Sequence, residues 1–386
     1  MSAEHKNRNS EPITSIKRIL ENRGMKQCDL ARLLKKKEPE VSRWLSGAVA
    51  ISKRSRRKIE EALGEPITKD STFKRTNDII NIGIIGTGNI AGRFVAESRN
   101  VKGINIIAVF NPNINEAISF CEKFGISKVC CTVEDLFSVS DAIYVASPVS
   151  SHYSYAAQAL IHGCHVLCEI PFVSSNKEAL ELINLARNNR LILMNAIKTA
   201  YCPSFQQMIM LAKSGIIGDV VDISASVTNL LPDFFPKEFS NERMMENMSY
   251  PLLVFFKLFG TDVKRIHSFR KWDGDKLKYT NTSVEFEGGI GSFKVGVGVK
   301  SEGSMIISGT KGYLYVPAPW WKPDYFEIRF ENPADNKKYY FPYEADGLRY
   351  EIQVLKDKIN RNDNNEYISV KEIKRITHIQ STIMKE

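Results

Sequence analysis

Six consecutive residues, Gly86-Thr87-Gly88-Asn89-Ile90-Ala91, carry the clearest chemistry in this chain of 386 residues. They follow an apolar run at 78–85 and precede a helical stretch at 92–98. In that setting Gly86 permits a tight turn, Gly88 lets backbone approach a pyrophosphate, and Ala91 lets the helix pack close to the strand. The helix N-terminus then aims its first N–H groups, those of Asn89 and Ile90, at the phosphates. The next strand, 104–110, ends at Asn111, where a dinucleotide site usually sets an acid against the ribose hydroxyls. Asparagine can bond a ribose but cannot accept from both hydroxyls, and it tolerates a 2′-phosphate better than an acid does. The expected cofactor is therefore NAD or NADP.

The elements that must position this turn alternate along the chain. Strand 141–146, helix 155–161, strand 163–169, helix 177–188 and strand 191–195 follow in order. Such βαβ order predicts a doubly wound parallel sheet with ligands at the carboxyl ends of its strands. From residue 219 strand patterns dominate, at 220–227, 283–287, 291–297, 305–308, 313–316 and 325–329. Several alternate apolar and polar residues, which predicts an open, mainly antiparallel sheet with one exposed face suited to a homodimer or homotetramer contact. Trp320-Trp321-Lys322-Pro323 reads as a packed corner or as an aromatic platform for a sugar. Arg349 and Tyr350 are expected to pin a late helix to this sheet.

Charge separates a third region. Residues 1–75 hold 19 Lys and Arg against 10 Asp and Glu, so the whole formal charge of +9 lies there and the rest is neutral. A basic block beside a neutral body suggests a polyanion-binding module. Short helices are expected from Ser15 to a stop at Gly24, over 27–34, over 39–45 with a close at Ser46-Gly47, and over 53–63. Gln27-x-x-Leu30-Ala31 followed by Val41-Ser42-Arg43-Trp44-Leu45-Ser46-Gly47 resembles the Cro/phage-repressor-type (XRE) helix-turn-helix domain. That resemblance implies double-stranded DNA as partner, with Glu38, Glu40, Ser42 and Arg43 toward the bases and Gln27 toward the backbone. Glu38 stands where the family often has glutamine, which shifts the base preference toward cytosine N4 or repels phosphate. Lys35, Lys36, Lys37, Lys53, Arg54, Arg56 and Arg57 are the expected phosphate contacts.

The body carries a second resemblance. Gly86-x-Gly88-x-x-Ala91, Ser147-Pro148-x-x-x-His152, Gly163-x-His165-Val166-x-x-Glu169-x-Pro171 and Ser214-Gly215-Ile216-Ile217-Gly218 are similar to the Gfo/Idh/MocA oxidoreductase family. Gly309-Thr310-Lys311-Gly312 and Gly347-Leu348-Arg349-Tyr350-Glu351-Ile352 extend the likeness. It implies a Rossmann domain, then a domain with an open sheet, and oxidation or reduction of a sugar or cyclitol carbon with NAD(P). It also implies cofactor-side places for Ser147, Pro148, His152 and Glu169. Hydride transfer from an alcohol needs a group to take the hydroxyl proton and one to hold the developing alkoxide. The family typically uses the lysine of Glu-Lys-Pro for much of this, and here the motif reads Glu169-Ile170-Pro171. Isoleucine cannot donate, accept or carry charge. The family's helical Asp-x-x-x-His aligns with Glu246 and Tyr250, four apart and so on one helical face. Lys198, just past strand 191–195 with Tyr201 nearby, could replace the missing ammonium.

Two functions follow. One is a cofactor- or sugar-responsive transcription regulator whose catalytic motif has degenerated. The alternative is an active NAD(P)-dependent sugar or cyclitol dehydrogenase or reductase with relocated groups. The expected fold class is multidomain: a helix-turn-helix module at 1–64, a linker at 65–78, an α/β Rossmann domain at 79–200 and an α+β substrate or oligomerisation domain at 201–386. A composition of 43% apolar and 25% charged residues excludes global disorder. No apolar run approaches a membrane span. The first residues lack the apolar core of a secretory signal, and the seven cysteines form no CxxC pair, which points to reduced thiols in a cytoplasm. Cys130 and Cys131 are expected to be buried as small apolar residues. His162, Cys164, His165 and Cys168 share no common strand face, so no metal site is expected there.

Overall fold

A computed structural model describes residues 16, 19–20, 25–45, 53–64, 79–230, 241–342, 344–361 and 366–385, apart from the side chains of 53, 54 and 361. Ser15, Gly24, Ser46-Gly47 and the expected linker at 65–78 lie outside the described residues. The chain divides into two units, 1–76 and 77–386.

In the first unit three helices are described in full: α1 (Gln27–Leu33), α2 (Glu38–Leu45) and α3 (Lys53–Leu63). Their apolar residues recur at helical spacing and close into one core of Ile16, Ile19, Leu20, Leu30, Ala31, Val41, Trp44, Leu45, Ile59 and Leu63.

The second unit opens on the parallel sheet. Strands β1 (Ile80–Ile85), β2 (Ile104–Phe110), β3 (Ala142–Val145), β4 (His165–Cys168) and β5 (Leu193–Asn195) lie in the order β2-β1-β3-β4-β5. Every pair is parallel. Such strands are buried on both faces, which explains their nearly continuous apolar sequences. The strand period of two sorts their residues. Ile82, Ile84, Tyr144, Leu167 and Met194 enter one cluster, while Ile85, Ile143, Val145, Val166 and Cys168 enter the other. The second cluster lies under helices α6 (Val133–Val139), α7 (Val149–Ile161) and α8 (Asn176–Asn188). The first lies under α4 (Asn89–Ser98) and α5 (Ile114–Phe124), and it continues into the core of the second sheet.

That second sheet has eight strands: β6 (Val220–Asn229), β7 (Val263–Asp273), β8 (Lys276–Phe286), β9 (Ile290–Val297), β10 (Met305–Gly309), β11 (Tyr313–Val316), β12 (Tyr325–Arg329) and β13 (Lys337–Tyr340). Their order is β13-β12-β11-β10-β6-β9-β8-β7. Only β6 and β9 pair in parallel, so the sheet is mainly antiparallel as expected. Helix α9 (Pro203–Lys213) leads into it, and α10 (Asn241–Phe259) covers its inner face. Phe255 of α10 packs on Phe293, and a Cβ at Gly291 would sit 2.5 Å from the Phe255 ring. Glycine at 291 is what admits that ring. The late helix α11 (Leu348–Arg361) and the last helix α12 (Val370–Lys385) return toward the parallel sheet. Ile373 of α12 joins the cluster of Ala179 and Leu182, so the core does not break at residue 200. Arg349 and Tyr350 do not pin α11 to the sheet. Arg349 Nε lies 3.4 Å from Glu97 of α4, and the Tyr350 hydroxyl donates to the carbonyl of Pro342 at 3.3 Å. Cys130 is buried but Cys131 is exposed, contrary to expectation.

Candidate functional site

The register of the parallel sheet builds the site. Ile85 lies beside Phe110 and Val145, Val145 beside Cys168, and Cys168 beside Asn195. All five carboxyl ends are therefore level. The residues that follow them line one edge in strand order: Asn111, Gly86, Ser147, Glu169, and Lys198 a turn beyond β5. The chain leaves β1 toward β2 on one side and reaches β3 on the other, which opens a crevice above the Gly86–Gly88 turn.

At that turn Gly86 has φ +99°, and a Cβ there would lie 2.5 Å from the carbonyl oxygen of Ala146. Gly88 caps α4 with φ −69°, no side chain caps that helix, and a Cβ at Gly88 would meet nothing within 4 Å. Space is thus kept open over uncapped N–H groups of the first turn, where Asn89 and Ile90 sit. A pyrophosphate fits this cradle. The helix begins at Asn89 rather than 92.

At the end of β2 the side chain of Asn111 is already engaged. Its Oδ1 accepts from Asn113 N–H at 2.8 Å, and its Nδ2 donates to Thr87 Oγ1 at 2.5 Å and to Glu116 Oε2 at 3.1 Å. Glu116 also accepts from Thr87 Oγ1 at 3.3 Å and from Asn113 Nδ2 at 3.0 Å. A carboxylate therefore stands at the ribose end of the crevice, contributed by the first turn of α5. Sequence reasoning missed it because no motif marks a glutamate six residues beyond the strand.

In the middle of the edge, Ser147 Oγ accepts from Ser151 Oγ at 2.8 Å. His152 is buried, with Nε2 2.7 Å from the Ser147 carbonyl and Nδ1 2.9 Å from the Pro171 carbonyl. The ring thereby ties the loop after β3, with Pro148, to the loop after β4. Burial holds its pKa below the usual histidine value. Glu169 is buried; the Tyr144 hydroxyl donates to its Oε1, and Ile170 N–H donates to its Oε2 at 3.2 Å. Burial pushes this carboxyl up to about 7, against the opposing pull of both hydrogen bonds and of Lys198. The side chain of Ile170 is buried in the apolar core.

Lys198 starts the short 3₁₀ turn Lys198–Tyr201 and is 8% exposed. Burial draws its ammonium below the ordinary lysine pKa, Lys322 adds to that, and Asp346, Glu351 and Glu169 oppose it. Glu246, raised by burial, is held by Arg243 Nη1 at 2.9 Å and senses Lys198. Tyr250 lies flat against Trp321, centroids 6.3 Å apart. Burial raises its phenol, and Glu246 and Glu169 raise it further. The structure thus gathers Lys198, Glu169, Glu246 and Tyr250 into one electrostatic neighbourhood. The Tyr201 hydroxyl is engaged within its own turn region: it donates to the Asn195 carbonyl at 2.7 Å. Trp320 is wholly buried and donates from Nε1 to the Ser226 carbonyl at 3.0 Å, the packed-corner arrangement.

Glu351 also belongs to this neighbourhood. It is wholly buried on α11, neither carboxyl oxygen has a hydrogen-bond partner, and burial lifts its pKa well above the carboxylate range. The sequence likeness included Glu351 without giving it a role. Glu97 is buried too. It accepts from the N–H groups of Asp346 at 2.9 Å and Arg349 at 3.1 Å, locking α4 to the start of α11.

In the N-terminal unit, Gln27 Nε2 donates to Glu38 Oε1 at 3.4 Å across the turn between α1 and α2. Lys36 Nζ donates to Glu40 Oε1 at 2.7 Å and lies 5.7 Å from the Trp44 ring centroid. Both glutamates expected to face bases are thus paired within the unit. Lys35, Lys37 and Arg43 are exposed, and Ser42 is half-buried.

Residues 80–197 match the Gfo/Idh/MocA family profile, an oxidoreductase family with an NAD-binding Rossmann fold. A scyllo-inositol 2-dehydrogenase (NADP(+)) of Bacillus subtilis is 33% identical over 132 residues, 34% of this chain and 40% of that protein. An uncharacterized oxidoreductase of Escherichia coli, YgjR, is 30% identical over 193 residues, 47% of this chain and 59% of that protein. The chain thus spans less than two thirds of the length of these relatives. A 3-ketoreductase of Actinomadura kijaniata, solved in complex with NADP and TDP-benzene, superposes with a TM-score of 0.68 at 19% identity, over 79% of this chain and 96% of that one. At that identity the likeness speaks to fold alone. Among the described residues no helix is long and apolar enough to cross a membrane.

Proposed function

We propose that this chain, whose parallel-sheet half is a Gfo/Idh/MocA-type NAD-binding Rossmann domain, is an active oxidoreductase. It interconverts an alcohol and a carbonyl on a polyhydroxylated, sugar- or cyclitol-type substrate. The observation that carries this reading is Lys198, a buried lysine at the carboxyl edge of the sheet, one strand over from the motif position that holds Ile170. The Gly86–Gly88 turn and the start of α4 would hold the pyrophosphate of NAD or NADP. The nicotinamide, when bound, supplies or takes the hydride. Lys198 has the charge to hold a developing alkoxide, and its lowered pKa brings proton transfer nearer neutral pH. Glu169 and Tyr250 share its electrostatic surroundings, and Arg243 holds Glu246 as part of the wall. The test is steady-state reduction of NAD and NADP with a panel of sugars and cyclitols. Lys198→Ala should lower kcat/KM about 10²–10⁴-fold while dinucleotide still binds. Turnover that survives the substitution undiminished would remove Lys198 from the chemistry. Absence of turnover with any substrate, alongside measurable dinucleotide binding, would favour a sensor instead.

A second reading concerns the N-terminal unit. Helices α1 and α2 are joined by a four-residue connection, 34–37, and share one core, the plan of a helix-turn-helix. With the charge of +9 in that region, it supports a DNA-binding module that lends the protein a regulatory role. Binding to a duplex selected from random sequence should weaken steeply with salt, and lack of any selected sequence would reject it. A homodimer or homotetramer through the outer face of the eight-stranded sheet belongs to the same proposal, since Phe269 and Tyr340 stand exposed there.

A further inference from the structure

We infer that Glu116 faces the adenosine ribose beside Asn111, and that its carboxylate selects NAD(H) over NADP(H). This rests on the dinucleotide-binding reading given above and deepens it.

Hydrogen-bond accounting comes first. A ribose with both hydroxyls free offers two donors, and the residue opposite must accept them. Asn111 has one side-chain acceptor atom, Oδ1, and Asn113 N–H takes one of its two lone-pair sites at 2.8 Å. Its amide nitrogen points the other way, into Thr87 and Glu116. Thr87 already places its hydroxyl on Glu116 Oε2 at 3.3 Å. The Glu116 carboxylate has about four lone-pair sites on two oxygens, and Asn111 and Thr87 fill two of them on Oε2. Asn113 Nδ2 fills a third, on Oε1, at 3.0 Å, which leaves a site on Oε1 and one on Asn111 Oδ1 for the two ribose hydroxyls. Asn111, Asn113 and Thr87 are the positioning residues: their three donors fix the carboxylate beside the Gly86–Gly88 turn before any ligand arrives.

Charge decides the second half. A 2′-phosphate brings about two negative charges to the place where Glu116 sits. An NADP site answers that charge with a nearby arginine. The stretch 111–122, Asn-Pro-Asn-Ile-Asn-Glu-Ala-Ile-Ser-Phe-Cys-Glu, contains neither lysine nor arginine. Nothing in the loop or the first two turns of α5 can offset the repulsion, whereas a free 2′-hydroxyl can donate to the carboxylate. The B. subtilis relative is named as an NADP(+) enzyme, so this chain is expected to differ from it in cofactor preference.

The experiment titrates the full-length protein with NADH and, separately, with NADPH, following nicotinamide fluorescence, so that no turnover is required. NADH should bind at least about tenfold more tightly, the size of one charge-assisted hydrogen bond gained against one charge repelled. Glu116→Gln should erase most of that preference, chiefly by weakening NADH. Glu116→Arg should reverse its direction. Because Glu116 is exposed, neither variant threatens the fold, and an unchanged circular dichroism spectrum checks this. Equal affinity for the two dinucleotides, or a ratio that Glu116→Gln leaves untouched, overturns the assignment of Glu116 and leaves dinucleotide binding standing. Failure of both dinucleotides to bind overturns the binding reading and this inference with it.

Discussion

Replacing Glu169 by glutamine should remove a pH dependence of stability that runs opposite to the usual carboxylate case. An ordinary glutamate releases its proton near 4.5, whereas burial carries Glu169 to about 7. Below 4.5 both folded and unfolded chains hold the proton, and stability is indifferent to pH. Between 4.5 and about 7 the folded chain holds one proton more than the unfolded chain, so stability falls as pH rises. One proton is worth about 1.4 kcal/mol per pH unit, which makes the loss roughly 3 kcal/mol across that window. Glutamine cannot ionise and should flatten this slope. Its carbonyl oxygen can still accept from the Tyr144 hydroxyl, but its amide nitrogen cannot accept from Ile170 N–H. A constant penalty of about 1–3 kcal/mol from that unsatisfied donor is expected at every pH, so the slope and not the absolute stability is the readout. Glu246 and Glu351 are also raised by burial, so a residual slope persists in the variant, and only the difference between the two proteins counts. The assay is urea unfolding at several pH values between 4.5 and 7, followed by tryptophan fluorescence in a Trp44→Phe background. That background leaves Trp272, Trp320 and Trp321 as reporters confined to the larger unit. Parallel slopes for the parent protein and its Glu169→Gln variant would refute the reasoning.

Further outcomes follow from the turn and from the clamp beneath it. Gly86→Ala places a Cβ 2.5 Å from the Ala146 carbonyl at φ +99°; it should cost about 1–3 kcal/mol in a thermal melt and abolish NADH binding. Gly88→Ala meets nothing within 4 Å; the melt should hold while NADH affinity falls, because the methyl group fills ligand space. Loss of stability in Gly88→Ala would mean that the glycine serves the fold. Glu97→Ala removes the acceptor of the Asp346 and Arg349 N–H groups and of Arg349 Nε; chemical denaturation should show a loss of about 3 kcal/mol. Arg349→Ala should cost less, since the two backbone bonds survive it.

Much of this architecture is legible in the residues, and the misses have physical causes. β2, β11 and β12 fall where apolar runs between turn residues put them. The sequence puts the start of α4 at Gly92, three residues late, because the whole stretch from Gly86 to Ala91 reads as turn. Gly92 lies inside the helix as a packing residue, for a Cβ there would lie 2.8 Å from the Phe124 ring. β7 is an edge strand whose residues, Val-Lys-Arg-Ile-His-Ser-Phe-Arg-Lys-Trp-Asp, keep most of their side chains in solvent, so it lacks the apolar signature of a buried strand. The site divides in the same way. The glycine turn is a local backbone requirement and announces itself in sequence. Tyr144 and Glu116 act through contacts made across strands and loops, and each looks unremarkable among its sequence neighbours.

The exchange at Ile170 gains its meaning from charge balance around Glu169. Glu246 raises the pKa of Glu169, and Glu169 raises that of Glu351. Left to themselves, these carboxyls would stay protonated well above the usual range. In the family that the Glu169-Ile170-Pro171 motif resembles, a lysine beside the glutamate supplies positive charge; here the isoleucine lies in the apolar core. Lys198 lowers the pKa of Glu169, Glu246 and Glu351 alike. One ammonium in the turn after β5 thus acts on all three, with Arg243 adding to it at Glu246. Burying a lysine to 8% exposure costs several kcal/mol unless charges nearby repay it. The three carboxyls offset part of that cost, so Lys198→Ala should raise their pKa values further and make stability fall more steeply as pH rises. A variant whose slope in urea unfolding matches that of the parent protein would show that this ammonium does not serve them.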